Sequence, residues 1–256
     1  MYFTILWSAV SHLVWYHLFV FINTPETQKC TRCVELPPIW QLPNLKYLRI
    51  DGAHAVTKVG PEFVGCKKGD HVCNEFVAFP KLESLIFADM PNWEEWSFFE
   101  EEVVVADVSG EDGAAEIRKE DAQPARVRLL PRLLKLQLHG CPKLRDLPQQ
   151  LGKDTPCLKE LSLRGLNNLK AMEDRPVLFE VLIGYCEGLE RICNLPQVTE
   201  LRVGGCPNLS HVEGLDSLQQ LWLGEDMQEV SSRWVPELQE QHQRLHGEDL
   251  DVYTWR

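Results

Sequence analysis

The sequence has few basic residues, with 26 lysines and arginines against 38 aspartates and glutamates and a formal net charge of −12 over 256 residues. Nucleic acids and anionic membranes bind positively charged surfaces, so we expect neither as a partner. The imbalance is local, because residues 94–121 hold eleven acids and two bases. We expect about 97–129 to be a disordered acidic insertion, with an electrostatic surface for a basic partner as the alternative.

The sequence also lacks recognisable catalytic and nucleotide-binding motifs. No G-x-x-x-x-G-K-[ST] loop occurs, and "LGKD" at 151–154 has neither the first glycine nor the hydroxyl residue. The histidines after residue 50 accompany no nucleophile at a motif spacing. We therefore expect no catalytic residues, no cofactor and no enzyme activity.

The nine cysteines have no compact disulfide spacing. An odd number without such spacing favours reduced thiols, and we expect a cytoplasmic protein. Cys30, Cys33, Cys66 and Cys73 with His71 suggest a zinc site, but the spacing of the second cysteine pair is loose. We therefore expect no metal.

The first 25 residues contain no lysine, arginine, aspartate or glutamate. This segment is long enough to cross a bilayer but lacks the basic start and cleavage site of a secretory signal. Three interpretations of residues 1–28 stay open: a membrane anchor, a buried amphipathic element and a wrongly assigned first exon. We favour the third, because the chain joins the repeats described next in the middle of a repeat. Membrane association is expected only if residues 2–22 are a true span.

An L-x-x-L-x-L pattern recurs seven times, and its last four copies start 20 residues apart. Two alternating aliphatics point to one side of a short strand, which cannot bury them alone. Stacked copies would form a parallel sheet over a common core. About twenty residues per repeat leave no room for a long helix, so turns and irregular or 3₁₀ segments should link the strands. The copies begin at Leu45, Leu82, Leu133, Leu158, Leu178, Val198 and Leu218.

A small thiol follows three of these segments, as Cys141, Cys186 and Cys206. The spacing places it where the chain turns inward after the strand. Other copies have Leu166 or Ala53 there. We therefore expect an apolar packing position rather than a metal ligand.

The repeats resemble the irregular leucine-rich repeats of grass-type plant immune receptors of the nucleotide-binding class. The residues that carry the resemblance are "LPPIWQLPNLKYLRIDG" (36–52), "AFPKLESLIFADMPNWEEW" (78–96), "LPRLLKLQLHGCPKLRDLP" (130–148) and "LHGEDLDVYTW" (245–255). The resemblance implies an α/β-type leucine-rich-repeat solenoid over 29–232, with parallel strands on a concave face and a mostly irregular or 3₁₀ convex side. Residues 233–256 would form a C-terminal cap or tail.

The resemblance implies a protein-interaction module from the C-terminal region of a disease resistance receptor. Its partners would be a pathogen effector or the receptor's nucleotide-binding domain, which these residues do not include. Two alternatives stay open: a membrane-anchored receptor-like protein and a non-functional receptor fragment. The effector is not indicated by the sequence.

The candidate contact residues are the side chains between the buried aliphatics, on the exposed side of each strand. Apolar residues among them, such as Leu182 and Trp222, mark a potential protein contact surface. The alternative for any single position is an ordinary solvated sheet face. The candidates are Tyr47, Arg49, Asp51, Ile86, Lys135, Gln137, His139, Glu160, Arg164, Glu180, Leu182, Glu200, Arg202, Gln220 and Trp222.

Overall fold

A computed structural model describes residues 2–6, 34, 36, 39–65, 77–98, 129–152 and 155–256. In this part of the chain, short strands outnumber helices. The strands are β1 (Tyr2–Leu6), β2 (Tyr47–Asp51), β3 (Lys58–Val59), β4 (Ser84–Ala88), β5 (Glu95–Trp96), β6 (Lys135–His139), β7 (Glu160–Arg164), β8 (Ala171–Glu173), β9 (Glu180–Gly184), β10 (Arg191–Cys193), β11 (Glu200–Gly204), β12 (His211–Glu213), β13 (Gln220–Gly224) and β14 (Asp251–Trp255). The helices are α1 (Gln228–Ser231) and α2 (Val235–His246), with 3₁₀ turns at Ile39–Gln41, Pro61–Val64 and Glu225–Met227.

Nine strands form one parallel sheet in the order β1-β2-β4-β6-β7-β9-β11-β13-β14. Each of the seven L-x-x-L-x-L segments supplies one strand, so the prediction of short parallel strands is confirmed. Neighbouring strands pair with equivalent residues side by side, as where Val181 lies between Leu161 and Leu201. The third aliphatic of each of the last five copies belongs to one continuous row across the sheet: Leu138, Leu163, Ile183, Val203 and Leu223.

The aliphatic side chains on the inner side of this sheet form the core. Strands β6 and β7 alternate buried and partly exposed residues, as the period of two requires. Leu136, Leu138 and Leu163 are fully buried, and each such side chain contributes about 2 kcal/mol relative to an exposed one. Neighbouring strands share this core, so no repeat is stable by itself.

A left-handed turn residue follows six of the seven strands that the L-x-x-L-x-L copies supply. It is glycine in four of these repeats, for example Gly165 at φ 68°, but Asp89 and Tyr185 take the same conformation at φ 50° and 54°. The N–H of Gly165 donates to the Gly184 carbonyl at 2.9 Å, and the Tyr185 N–H donates to the Gly204 carbonyl at the same distance. The turn thus extends the hydrogen-bond ladder by one rung.

The residue after this turn points into the core. Cys141, Cys186 and Cys206 are fully buried, and so are Leu166 and Ala53 at the equivalent position. Each thiol lies 3.4–3.5 Å from the carbonyl oxygen two residues earlier. Burial raises the pKa of the Cys141 thiol to about 12. The expected role in apolar packing is confirmed at these positions.

The segments that link each strand of the large sheet to the next, called return legs below, differ from the irregular or 3₁₀ segments that we expected. Three of them pair as a second parallel sheet in the order β12-β10-β8, and β3 pairs with β5. The reason is the constant 20-residue length of the last repeats, which brings equivalent residues level with one another. Met172, Ile192 and Val212 lie side by side in this small sheet and are buried.

Aromatic residues fill the core of the earlier repeats. Trp93 and Trp96 pack at a ring-centroid distance of 5.3 Å, and Phe87 lies 4.8 Å from Trp93. Phe98 packs on Trp96 at 5.4 Å and is fully buried. Phe87 on β4 is paired with Leu138 on β6, and Trp93 and Trp96 correspond in the same register to Leu144 and Leu147 of the next repeat.

The C-terminal residues combine helix α2 with an edge strand. The helix has Pro236 in its first turn and ends at Gly247, as the sequence indicates. Its buried side chains are Leu238 and His242, one turn apart, whereas Leu245 is 54% exposed. Strand β14 follows the helix and pairs with β13, so residues 233–256 lie at the C-terminal edge of the sheet.

At the N-terminal edge, β1 pairs in parallel with β2, with Tyr2 opposite Tyr47. The rest of segment 1–28, the cysteines considered for zinc and most of the acidic insertion lie outside the described residues. Phe98 and Leu129, at the two limits of that insertion, are both buried. Within the described ranges, no helix combines the length and apolar character needed to cross a membrane.

Candidate functional site

The outward side of the large sheet carries all fifteen candidate contact residues. We call this surface the strand face and define it by the first, third and fifth residues of β2, β4, β6, β7, β9, β11, β13 and β14. Because the strands are in register, these residues form three columns. The first column is Tyr47, Ser84, Lys135, Glu160, Glu180, Glu200, Gln220 and Asp251. The second is Arg49, Ile86, Gln137, Ser162, Leu182, Arg202, Trp222 and Tyr253. The third is Asp51, Ala88, His139, Arg164, Gly184, Gly204, Gly224 and Trp255.

One candidate residue is not available for contact. Ile86 is only 6% exposed, although we expected it to be an exposed apolar residue. In the second column it lies between Arg49 and Gln137, whose longer side chains flank it. Leu182, by contrast, is 39% exposed.

The first column contains three glutamates in neighbouring strands. Glu180 stands opposite Glu160 on one side and Glu200 on the other. Lys135 Nζ lies 2.7 Å from Glu160 Oε2, and Arg202 forms an ion pair with Glu200. Among the described residues, no ion pair with Glu180 is formed.

At the N-terminal end of the face, Arg49 and Asp51 form an ion pair with 2.6 Å between Nη2 and Oδ2. This hydrogen bond raises the pKa of Arg49. Burial, together with the charges of Arg49 and Arg164, lowers the pKa of His139 below its usual value. The Nε2 of His139 lies 3.4 Å from the hydroxyl of Ser162.

The C-terminal end of the face carries arginines and aromatic rings. Trp222 and Tyr253 stack with 4.4 Å between ring centroids, and the Arg202 guanidinium lies 5.2 Å above the Trp222 ring. Arg164 lies similarly 5.0 Å above the ring of Tyr185. Sequence reasoning missed Tyr253 because its strand has no leucines. The β-forming residues of "VYTW" are the signal that could have found it.

Two concave regions differ in chemistry. A depression of about 160 Å³ lies on the strand face, between β6 and β11, and Leu182 and Glu180 help to line it. A larger groove of about 1,090 Å³ lies beside β8 and is lined mainly by charged and polar residues. In that groove the buried Arg175 donates to the carbonyls of Leu147 and Pro148 at 3.3 Å, so it holds a turn in place.

A zinc site is one interpretation of the cysteine spacing. The described ranges contain no group of three or more histidine, cysteine, aspartate or glutamate side chains that could hold a metal ion. The cysteines that suggested zinc lie outside those ranges.

Comparison with known proteins shows partial similarity to plant proteins. No family model matches the chain. A "putative disease resistance protein" of Arabidopsis thaliana is 32% identical over 138 residues, which are 54% of this chain and 8% of that protein. The "putative disease resistance RPP13-like protein 1" of the same plant is 28% identical over 117 residues, or 46% of this chain and 9% of that protein. The matched residues are less than a tenth of the length of either relative.

Proposed function

We propose that this chain is a leucine-rich-repeat module of a plant disease resistance receptor that recognises a protein partner through its strand face. One observation carries the proposal. Repeats whose partial relatives are disease resistance proteins align their outward side chains into a single in-register surface. In this proposal the parallel sheet is the concave side of a solenoid, and the module comes from the C-terminal region of a grass-type receptor in the cytoplasm.

The composition of the strand face suits protein recognition. Tryptophan, tyrosine and arginine are enriched in protein interfaces and supply much of their binding energy. Trp222, Tyr253 and Arg202 lie together on this face. The rigid strands beneath them hold these groups at fixed distances, which reduces the entropy cost of binding.

The function we propose is non-enzymatic and requires no cofactor. The partner is a pathogen effector or the nucleotide-binding domain of a receptor.

Matched arginines on the two sides of the molecule allow a controlled test. Arg202 is ion-paired with Glu200 on the strand face, and Arg191 is ion-paired with Glu173 on the small sheet at 3.2 Å. Both are exposed, so their substitution by alanine should leave the fold intact.

The assay is proximity labelling in plant cells with the wild-type chain and the variants R202A, W222A and R191A. A partner that is lost with R202A and W222A but retained with R191A supports the proposal. Partners that are retained by both strand-face variants, or lost only with R191A, would contradict it.

A further inference from the structure

The depression on the strand face has one exposed apolar side chain, that of Leu182. Leu182 is 39% exposed there, whereas Leu161 and Val181, which also border the depression, are at most 3% exposed and belong to the core side of the sheet. The other outward side chains that line the depression are polar or charged, so the apolar surface of Leu182 has no apolar neighbour within the depression. The aliphatic stem of a long side chain fits this surface, because lysine and arginine bury their methylene groups while their charge stays in water.

The charge beside Leu182 selects the occupant. Like charges directly opposite one another in a sheet are unfavourable, yet Glu160, Glu180 and Glu200 occupy consecutive strands. The two outer carboxylates are neutralised by Lys135 and Arg202. In the described part of the molecule, the central carboxylate of Glu180 has no counter-charge, and its residue is exposed.

The arginines on β7 and β11 are already in contact with other groups. Arg202 pairs with Glu200 and lies over Trp222. Arg164 lies over the ring of Tyr185. An incoming cation therefore meets the unneutralised carboxylate, whereas an incoming anion meets arginines that are already in contact with other groups.

We infer that the depression receives a lysine or arginine side chain of the protein partner, with its stem on Leu182 and its cationic head at Glu180. This inference rests on the proposed function and specifies the chemistry of the partner at that surface. The flanking pairs with Lys135 and Arg202 orient the outer carboxylates, so that the central one is the docking point.

The probe is a set of three peptides, acetyl-Ala-Leu-X-Leu-Ala-amide, with lysine, glutamine or glutamate at X. Their affinities for the full chain are measured by isothermal titration calorimetry at low salt. We expect the lysine peptide to bind about fivefold more tightly than the glutamine peptide, the upper range of an exposed ion pair. Added salt should reduce this preference.

Three variants locate the effect. Glu180→Gln should abolish the preference for lysine, and Leu182→Ser should weaken binding of the lysine and glutamine peptides alike. The matched control is Glu187→Gln, an exposed acid in the turn after β9 and outside the strand face, which should bind like the wild type.

Equal affinity for the three peptides, a lysine preference that survives Glu180→Gln, or no binding at all would overturn the inference. Tighter binding of the glutamate peptide would also overturn it and would indicate that Arg164 or Arg202 binds an anionic side chain instead. None of these results decides the proposed function, which stands or falls on the loss of partners with R202A and W222A.

Discussion

Truncation of Leu201 tests whether the sheet shares one core between repeats. Leu201 is fully buried and lies between Val181 and Leu221 in the register. Leu201→Ala removes three carbon atoms, worth about 2.4 kcal/mol at about 0.8 kcal/mol each. The cavity left behind adds about 1 kcal/mol, so we expect the free energy of unfolding to fall by about 3–4 kcal/mol.

The assay is urea denaturation followed by circular dichroism, with Arg202→Ala as the control. Arg202 is the next residue along the strand but faces solvent, so its loss should cost less than about 1 kcal/mol. The midpoint should fall for Leu201→Ala without a change in the m-value. If both substitutions cost the same, the alternation of buried and exposed residues in this strand is wrong.

Three further predictions concern thiol, turn and charge. Because burial raises the pKa of Cys141 from 9.0 to about 12, its contribution to stability is complete below about pH 9 and is lost as the pH rises towards 12. Cys141→Ala should flatten this part of the stability profile measured by denaturation. Gly205→Ala should destabilise more than Gly247→Ala in thermal melts. Both have positive φ, but only at Gly205 would the new Cβ lie 2.8 Å from backbone of the adjacent repeat. Glu180→Gln should increase the free energy of unfolding at low salt by less than about 0.5 kcal/mol, which would appear as a slightly higher melting temperature. This gain should disappear at high salt.

The strands of the large sheet could be predicted because their signal is repeated. A single pair such as Leu161 and Leu163 is ambiguous, but seven copies in one register indicate stacked strands. The outward positions follow from the period of two. The residues of the strand face could therefore largely be predicted as a set, and their role in binding stays a prediction.

Strand β14 and the small sheet were not predicted, because they lack that repeated signal. Strand β14 carries Val252 and Tyr253 instead of leucines, and it follows a helix rather than a return leg. The small sheet depends on return legs of equal length being level in space, which a single repeat does not reveal. The burial of Ile86 depends on the lengths of the side chains beside it, which only the cross-strand register identifies.

Hydroxyl-radical footprinting of the chain with a partner obtained by proximity labelling would show which surface that partner covers. Leu182, Trp222 and Tyr253 report on the strand face, while His211 on β12 and Leu245 on α2 are exposed elsewhere. We predict that oxidation of the three strand-face residues falls on binding and that oxidation of His211 and Leu245 is unchanged. Protection of His211 with unchanged oxidation of Trp222 and Leu182 would contradict the account.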